Sequence, residues 1–316
     1  MTSPVMQVRL RASYGKYCVL KDVEFELCAG EALGIVGTSG AGKTTLAMAL
    51  LGLLPWRGAR AAGEVLLDGC NLLAMRTREA RRLRGRRIAL VPQSPMTALN
   101  GAVSLQAHFD EAWRAHESSG RKGLAVRLRQ LMEEVQLPVD DENFLRRRSG
   151  QISVGQAQRI LIALALLHRP SIVVADEPTS ALDPATQAEI IRLLLRLTRT
   201  NGTALVYISH DLVSVLQLCR RLAVLHAGTL VESIRVDEIS QTKHSATLRL
   251  LRSLPVPVEV LLSYCRARAS DDPQGDSKME ATQSSINTRP TVMQDGISTQ
   301  LSQFEAFFSG HNHKLS

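Results

Sequence analysis

Apolar and polar residues alternate in part over Val5–Leu10 and Val19–Leu27, the period of strands with one buried face. Ala32–Val36 is a short apolar run that leads straight into glycines. Residues 44–54 read as a buried helix that stops at Pro55, and 63–69 as a strand ending at the turn signal Asp68-Gly69. Arg87–Val91 is a further strand. From about Ser94 to Ser149 the pattern is helical and polar, with no strand run. Gln156–Leu167 reads as a helix closed by Arg169-Pro170. Ile172–Ala175 is wholly apolar, as in the middle strand of a parallel sheet. Ala185–Thr198 is helical, and Ala204–Ser209 and Leu222–Leu225 are strands. Strands alternating with helices predict an α/β fold with parallel strands and right-handed crossovers, into which the helical stretch near 94–150 is inserted.

Composition narrows this picture. The 316 residues are 45% hydrophobic and 22% charged, which excludes a wholly disordered chain, a collagen-like repeat and a disulfide scaffold. Aromatics are only 4%, so the core is built from Leu, Ile, Val and Ala. The five cysteines are odd in number and form no CxxC pair, which suggests reduced cytosolic thiols and no zinc site. Met1–Ala12 lacks the apolar run of a signal peptide. Apolar stretches such as Leu46–Leu54 and Ile160–Leu167 fall far short of the ~20 residues of a spanning helix. The net charge of +8 is partly local, because Arg76–Arg87 holds seven arginines and one Glu. No aromatics interleave there to stack bases, so this is a solvated helix face and no nucleic-acid partner is expected. From about Arg266 the composition turns to Ser, Thr, Gln, Asp and Asn, and 266–316 reads as a disordered tail.

The strongest chemical feature is Gly37-Thr38-Ser39-Gly40-Ala41-Gly42-Lys43-Thr44, which fits G-x-x-x-x-G-K-[ST] between a strand and a helix. Its glycines let backbone N–H groups converge on a phosphate chain, and the helix that follows adds the positive end of its dipole. Lys43 reaches β- and γ-phosphates in such a loop, and the Thr44 hydroxyl binds Mg²⁺. The strand Ile172–Ala175 supplies a matching acid, Asp176, at its carboxyl end, where open α/β sheets place their ligand crevice. Asp176 is the candidate Mg²⁺ holder; Glu177, aimed elsewhere, is the candidate that polarises an attacking water.

These residues resemble the ATP-binding subunits of ABC transporters over roughly 5–232. Gln93 resembles the Q-loop glutamine, and Ile152-Ser153-Val154-Gly155-Gln156 the signature usually written L-S-G-G-Q. Ser180-Ala181-Leu182-Asp183 is similar to the D-loop, and Ile208-Ser209-His210-Asp211 to the switch histidine. Tyr14 stands where the family keeps an aromatic for adenine. The resemblance implies a P-loop ATPase of ABC type, with a mostly parallel core sheet, an antiparallel N-terminal β-subdomain and an inserted helical subdomain. It implies an ATPase domain over 1–240 with the helical part at about 94–156, then a helical extension over 241–265.

The resemblance also assigns site roles. ATP contact falls to Tyr14, Gly37, Thr38, Ser39, Gly40, Ala41, Gly42, Lys43, Thr44, Thr45, Ser153, Gly155, Gln156 and Asp183. Mg²⁺ falls to Thr44, Gln93 and Asp176, and turnover to Glu177, His210 and Gln93. Two ATP molecules would lie between two head-to-tail subunits, each held by the phosphate loop of one and the signature of the other. Val154 departs from the family's glycine and would be costly if that position needed a positive φ.

Arg84–Ala89, Pro92–Asn100 and Arg221–Gly228 resemble, more narrowly, the dipeptide, oligopeptide and nickel importer branch. The lack of a C-terminal cysteine cluster tilts slightly towards nickel or a metal chelate. The implied partners are membrane-spanning permease subunits, a second ATPase subunit and, indirectly, an extracytoplasmic binding protein. The implied place is the cytoplasmic face of the plasma membrane. The alternatives are an accessory ATPase of a phosphonate-degrading complex and a soluble ABC ATPase working on nucleic acid.

Overall fold

A computed structural model describes residues 3–263, apart from 118–119, 140 and 142. The elements in chain order are β1 (Met6–Tyr14), β2 (Tyr17–Leu27), β3 (Ala32–Val36), α1 (Lys43–Leu50), β4 (Ala59–Leu67), β5 (Cys70–Asn71), α2 (Thr77–Leu83) and β6 (Ile88–Val91). The helices α3 (Pro95–Ala98), α4 (Leu105–Arg114), α5 (Gly120–Glu134) and α6 (Val154–Leu166) follow. The chain then runs through β7 (Ile172–Asp176), α7 (Pro184–Asn201), β8 (Ala204–Ser209), α8 (Leu212–Leu218), β9 (Arg221–His226), β10 (Thr229–Arg235) and α9 (Ser245–Arg252).

The strands form one sheet in the order β5-β4-β1-β2-β10-β9-β3-β8-β7-β6. Its two halves differ in character. β9, β3, β8, β7 and β6 are parallel, whereas β5, β4, β1 and β2 are antiparallel. β10 joins them, antiparallel to β9 and parallel to β2 through the single pair Thr229↔Asp22.

The parallel strands are buried on both faces because alternate residues serve two cores. Leu33 and Ile35 of β3, Ile172 and Val174 of β7, and Val206 and Ile208 of β8 face α1 and the antiparallel strands. Ala32, Val36, Val173, Ala175, Leu205 and Tyr207 face the other core, with α6, α7 and the inserted helices. This is why those strands read as unbroken apolar runs, while β1, with one buried face, alternates.

Several boundaries differ from the sequence expectations. The predicted helix 44–54 ends at Leu50, because Gly52 turns the chain through φ +64° before Pro55 is reached. The predicted strand 63–69 covers 59–67 instead, and Asp68-Gly69 is the two-residue turn that pairs Leu67 with Cys70. β10 and α8 have no counterpart among the expected elements. Every residue of β10 is half-buried or exposed, and α8 is seven residues of mixed pattern, so neither carries a clear period.

Three of the seven clustered arginines are engaged by the fold. Arg84 donates to the carbonyls of Leu51 and Gly52 and lies over the Trp56 ring. Arg86 pairs with Glu117, and Arg87 with Asp68. The inserted helices are clamped by two buried guanidiniums. Arg127 of α5 donates to the carbonyls of Leu166 and Leu167 at the end of α6, where the helical N–H ladder has run out and the Arg169 N–H is a second donor to Leu166. Arg159 of α6 donates to the carbonyl of Val135 at 2.8 Å. After β10, Thr242 and the fully buried Thr247 both donate to Glu232, which ties α9 back to the sheet.

Candidate functional site

The phosphate loop leaves the carboxyl end of β3, between β8 and β9 in the sheet. Packing fixes two of its glycines. A Cβ on Gly37 would lie 2.4 Å from the Leu225 carbonyl oxygen, and one on Gly42 2.8 Å from Leu20 Cδ2. Gly42 is the N-cap of α1 at φ 106°, and no side chain caps that end, so the first-turn N–H groups face outward to an anion. Thr38, Ser39, Gly40 and Thr44 are exposed, Thr45 is half-buried, and Ala41 is buried beneath them. Lys43 is only 7% exposed and donates from Nζ to the carbonyls of Gly37 at 3.0 Å and Thr38 at 3.3 Å.

Asp176 ends β7, two strands from the loop, and is 4% exposed. Burial pushes its carboxyl above the usual carboxylate range, and the Thr44 hydroxyl bound to it pulls the other way. Its Oδ1 has no hydrogen-bond partner. A buried orphan carboxylate oxygen beside a hydroxyl is what a hard divalent cation supplied with phosphate oxygens would complete, so the residues fit Mg²⁺. Among the described residues, no group of three His, Cys, Asp or Glu side chains could hold a metal without that help.

Glu177 adopts a left-handed backbone, φ 46°, and its N–H donates to the Ile208 carbonyl at 2.8 Å. That twist turns its carboxylate away from Asp176 and into the centre of a cluster. Oε1 lies 3.4 Å from Lys43 Nζ, while Oε2 accepts from Gln93 Nε2 at 2.9 Å and lies 3.2 Å from His210 Nδ1. Four of the sequence-predicted residues, from the ends of four segments, therefore meet at one carboxylate. Beneath the cluster, the Tyr207 hydroxyl is hydrogen-bonded to Thr179 at 3.2 Å, which anchors the loop after Glu177. Burial pushes the Tyr207 phenol up to about 12. Nothing in the motif spacing points to that pair; only the sheet brings it together.

The signature segment is built differently. Ser153 caps α6: its Oγ accepts from the Gln156 N–H, and the Gln156 side chain accepts from the Ser153 N–H, both at 3.1 Å. Val154 is the first helical residue, 38% exposed, with no positive φ, so a branched side chain is accommodated there. Gly155 faces Thr186 of α7, whose methyl a Cβ would approach to 2.7 Å. Ser153 is exposed, and among the described residues no hydrogen bond or ion pair joins 152–156 to 37–45. Asp183 is likewise exposed and caps α7, accepting from Ala185 and Thr186 N–H. Tyr14 is half-buried at the end of β1, opposite Tyr17 in the hairpin to β2; Val19 and Leu20 of β2 border Gly42.

Comparison with known proteins agrees with this architecture. Residues 20–180 match the ABC transporter family. The probable D,D-dipeptide transport ATP-binding protein of Escherichia coli is 36% identical over 272 residues, 83% of this chain and 82% of that one. The dipeptide transport ATP-binding protein of Haemophilus influenzae is 37% identical over 74% of this chain and 71% of its own. A dimeric ATP-binding cassette in a post-hydrolysis state, bound to ADP and Pi, aligns with TM-score 0.63 at 26% identity, over 73% of this chain and 98% of that one. No helix among the described residues is long and apolar enough to cross a membrane. With a phosphate loop, a buried acid and a poised glutamate in one crevice, the chain belongs to the ABC transporter ATP-binding family and is an ATPase.

Proposed function

We propose that this chain is the motor subunit of an importer for peptides or, as the second substrate class, nickel or metal chelates. Two ATPase subunits, identical or homologous, close head to tail over two ATP molecules. They dock on membrane-spanning permease subunits at the cytoplasmic face, which an extracytoplasmic binding protein supplies. One observation carries the reading. Lys43, Gln93 and His210 gather on Glu177, next in sequence to the buried Asp176, while Ser153 lies exposed and unconnected to them, which supports a nucleotide site completed by a second subunit. The relatives are named for dipeptide transport, which favours peptides over nickel here.

The geometry suggests a sequence of contacts. Lys43 rests against Glu177 and two loop carbonyls. The phosphates of ATP, carrying more negative charge, take Lys43 over and leave the Glu177 carboxylate open to a water. Glu177 accepts a proton as that water attacks the γ-phosphorus, and the bond to the bridging oxygen of ADP breaks. Gln93 and His210, both within hydrogen-bond reach of Glu177, orient the carboxylate and the water. Thr44 and Asp176, with Gln93 as a further candidate, would hold Mg²⁺, which would supply charge neutralisation to the phosphates. Ser153 and Gly155 at the head of α6 meet the γ-phosphate of the partner's nucleotide.

Whole-cell uptake tests the proposal. Cells carrying the wild-type chain or Glu177→Gln are offered a labelled dipeptide and labelled nickel in parallel. Loss of dipeptide uptake in the variant is expected; unchanged uptake of both by cells whose purified protein hydrolyses ATP sinks the importer reading.

A further inference from the structure

The first two turns of α7 are bound on two sides. Towards α6, the Thr186 methyl packs on Gly155 and Glu189 Oε2 accepts from Arg159 Nη2 at 2.7 Å. Towards the loop after β8, Gln187 Nε2 donates to Asp211 Oδ2 at 2.9 Å. Asp211 adjoins His210 and is held by Ser209 Oγ, which lies 3.0 Å from its N–H. Its carboxylate also caps α8, accepting from Val213 N–H at 3.0 Å and Ser214 N–H at 3.3 Å. His210 itself is 59% exposed at its side chain. Its Nδ1 lies 3.2 Å from Glu177 Oε2, and where the ring sits relative to that carboxylate depends on the backbone that Asp211 fixes.

We propose that Gln187 is a positioning residue for His210, acting through Asp211. It locks the 209–211 turn to α7, whose N-cap is Asp183. Displacement of the 180–183 loop then carries His210 with it. The same helix holds α6, whose N-cap is Ser153, through Thr186 and Glu189. In the proposed sandwich, on which this inference rests, α7 thus ties the nucleotide bound by this chain to the one its signature completes. The bond is not needed to hold the α8 cap, because two backbone donors remain on Asp211 without it.

The test uses the full chain. Gln187→Leu should lower kcat at least fivefold, with KM for ATP within twofold and an unchanged melting temperature. Gln187→Glu sets two carboxylates face to face and should lower kcat at least as far. Adding Asp211→Asn to Gln187→Glu reverses the direction of the hydrogen bond, at the expense of the 3.3 Å bond that Oδ2 accepts from the Ser214 N–H, and should recover at least half of the loss. Unchanged kcat in Gln187→Leu overturns the proposal, as does a parallel fall in stability and ATP affinity, or no recovery in the double variant. Light scattering of Glu177→Gln with Mg-ATP, with and without Gln187→Leu, separates the two ideas. A Glu177→Gln chain that stays monomeric removes the sandwich and the link to the partner, whatever the kcat result says of His210.

Discussion

The phosphate-loop side and the signature side of this molecule are constructed on opposite terms. Lys43, Asp176 and Glu177 are buried or nearly so; Lys43 and Glu177 are joined to each other and to groups from neighbouring segments, and Asp176 is bound by Thr44. Ser153 and Asp183 are exposed and satisfied only by their own helix ends. The first region turns its polar groups inward on one another. The second, a pair of capped helix N-termini, presents its polar edge outward. That contrast is what the proposed head-to-tail sandwich calls for.

The comparison is tested first at Lys43. Lys43→Ala should cut ATP turnover by about 100-fold or more and weaken nucleotide binding, since a charge-assisted contact in a dry site is lost. Unaltered turnover would remove the phosphate loop from the mechanism. Glu177→Gln should lower turnover by about 100-fold or more, the scale of a lost general base, yet leave ATP binding intact. Light scattering should then show a dimer that persists with Mg-ATP. If ATP affinity collapses as well, Glu177 holds the loop together instead of acting on water.

Ser153→Ala probes the displayed edge. Turnover should fall about tenfold, a modest share of the electrostatic stabilisation available to such contacts, with ATP affinity of the monomer unchanged. Loss of the α6 cap costs about 1 kcal/mol and lowers the melting temperature by about 2–4 °C. A variant with full turnover would show that the outward edge touches no nucleotide.

The smallest effect lies where the inserted helices meet the core. His168 stacks on Trp113 and makes an edge contact with His116. Burial lowers both histidines below the usual imidazole range; for His116 the charges of His168 and Arg86 add to this, and for His168 those of Arg86 and Arg127, with Glu117 opposing in each case. The folded form therefore holds fewer protons than the unfolded chain, and their contribution to stability, present above pH 6.5, is lost as the pH falls below it. His168→Gln should make the drop in melting temperature between pH 7.5 and 5.5 smaller by about 1–2 °C. An unchanged slope would place the acid sensitivity elsewhere.

How much of this was legible in the sequence depends on range. The loop 37–44 and the acids after Ile172–Ala175 are local, because a buried strand, a glycine turn and a helix start each leave their own pattern. The capping box at Ser153 is equally local, yet the apolar pattern alone starts that helix at Gln156, two residues after its true first turn begins at Val154. What could not be read is whatever the sheet order decides. Gln93 and Glu177 are 84 residues apart, and Thr179 and Tyr207 are 28 apart, yet each pair shares a hydrogen bond. No period predicts which strand ends become neighbours. The left-handed backbone of Glu177 belongs to the same class, since it follows from its bond to Ile208 and not from its residue type. Helix 44–54 was overextended for a simpler reason: the apolar run continues through Leu51–Leu54, and only Gly52 marks the end.

The alternation of β3, β7 and β8 between two cores has an evolutionary consequence. Neighbouring positions in these strands answer to different halves of the molecule, so substitutions one residue apart should show unrelated genetic partners. Those two residues apart should share them. Loss or gain of a single residue in such a strand would exchange the two sets wholesale and spoil both cores at once. Strand length is thus held far more tightly than strand identity, and any drift in the size of this protein must be absorbed in its connections.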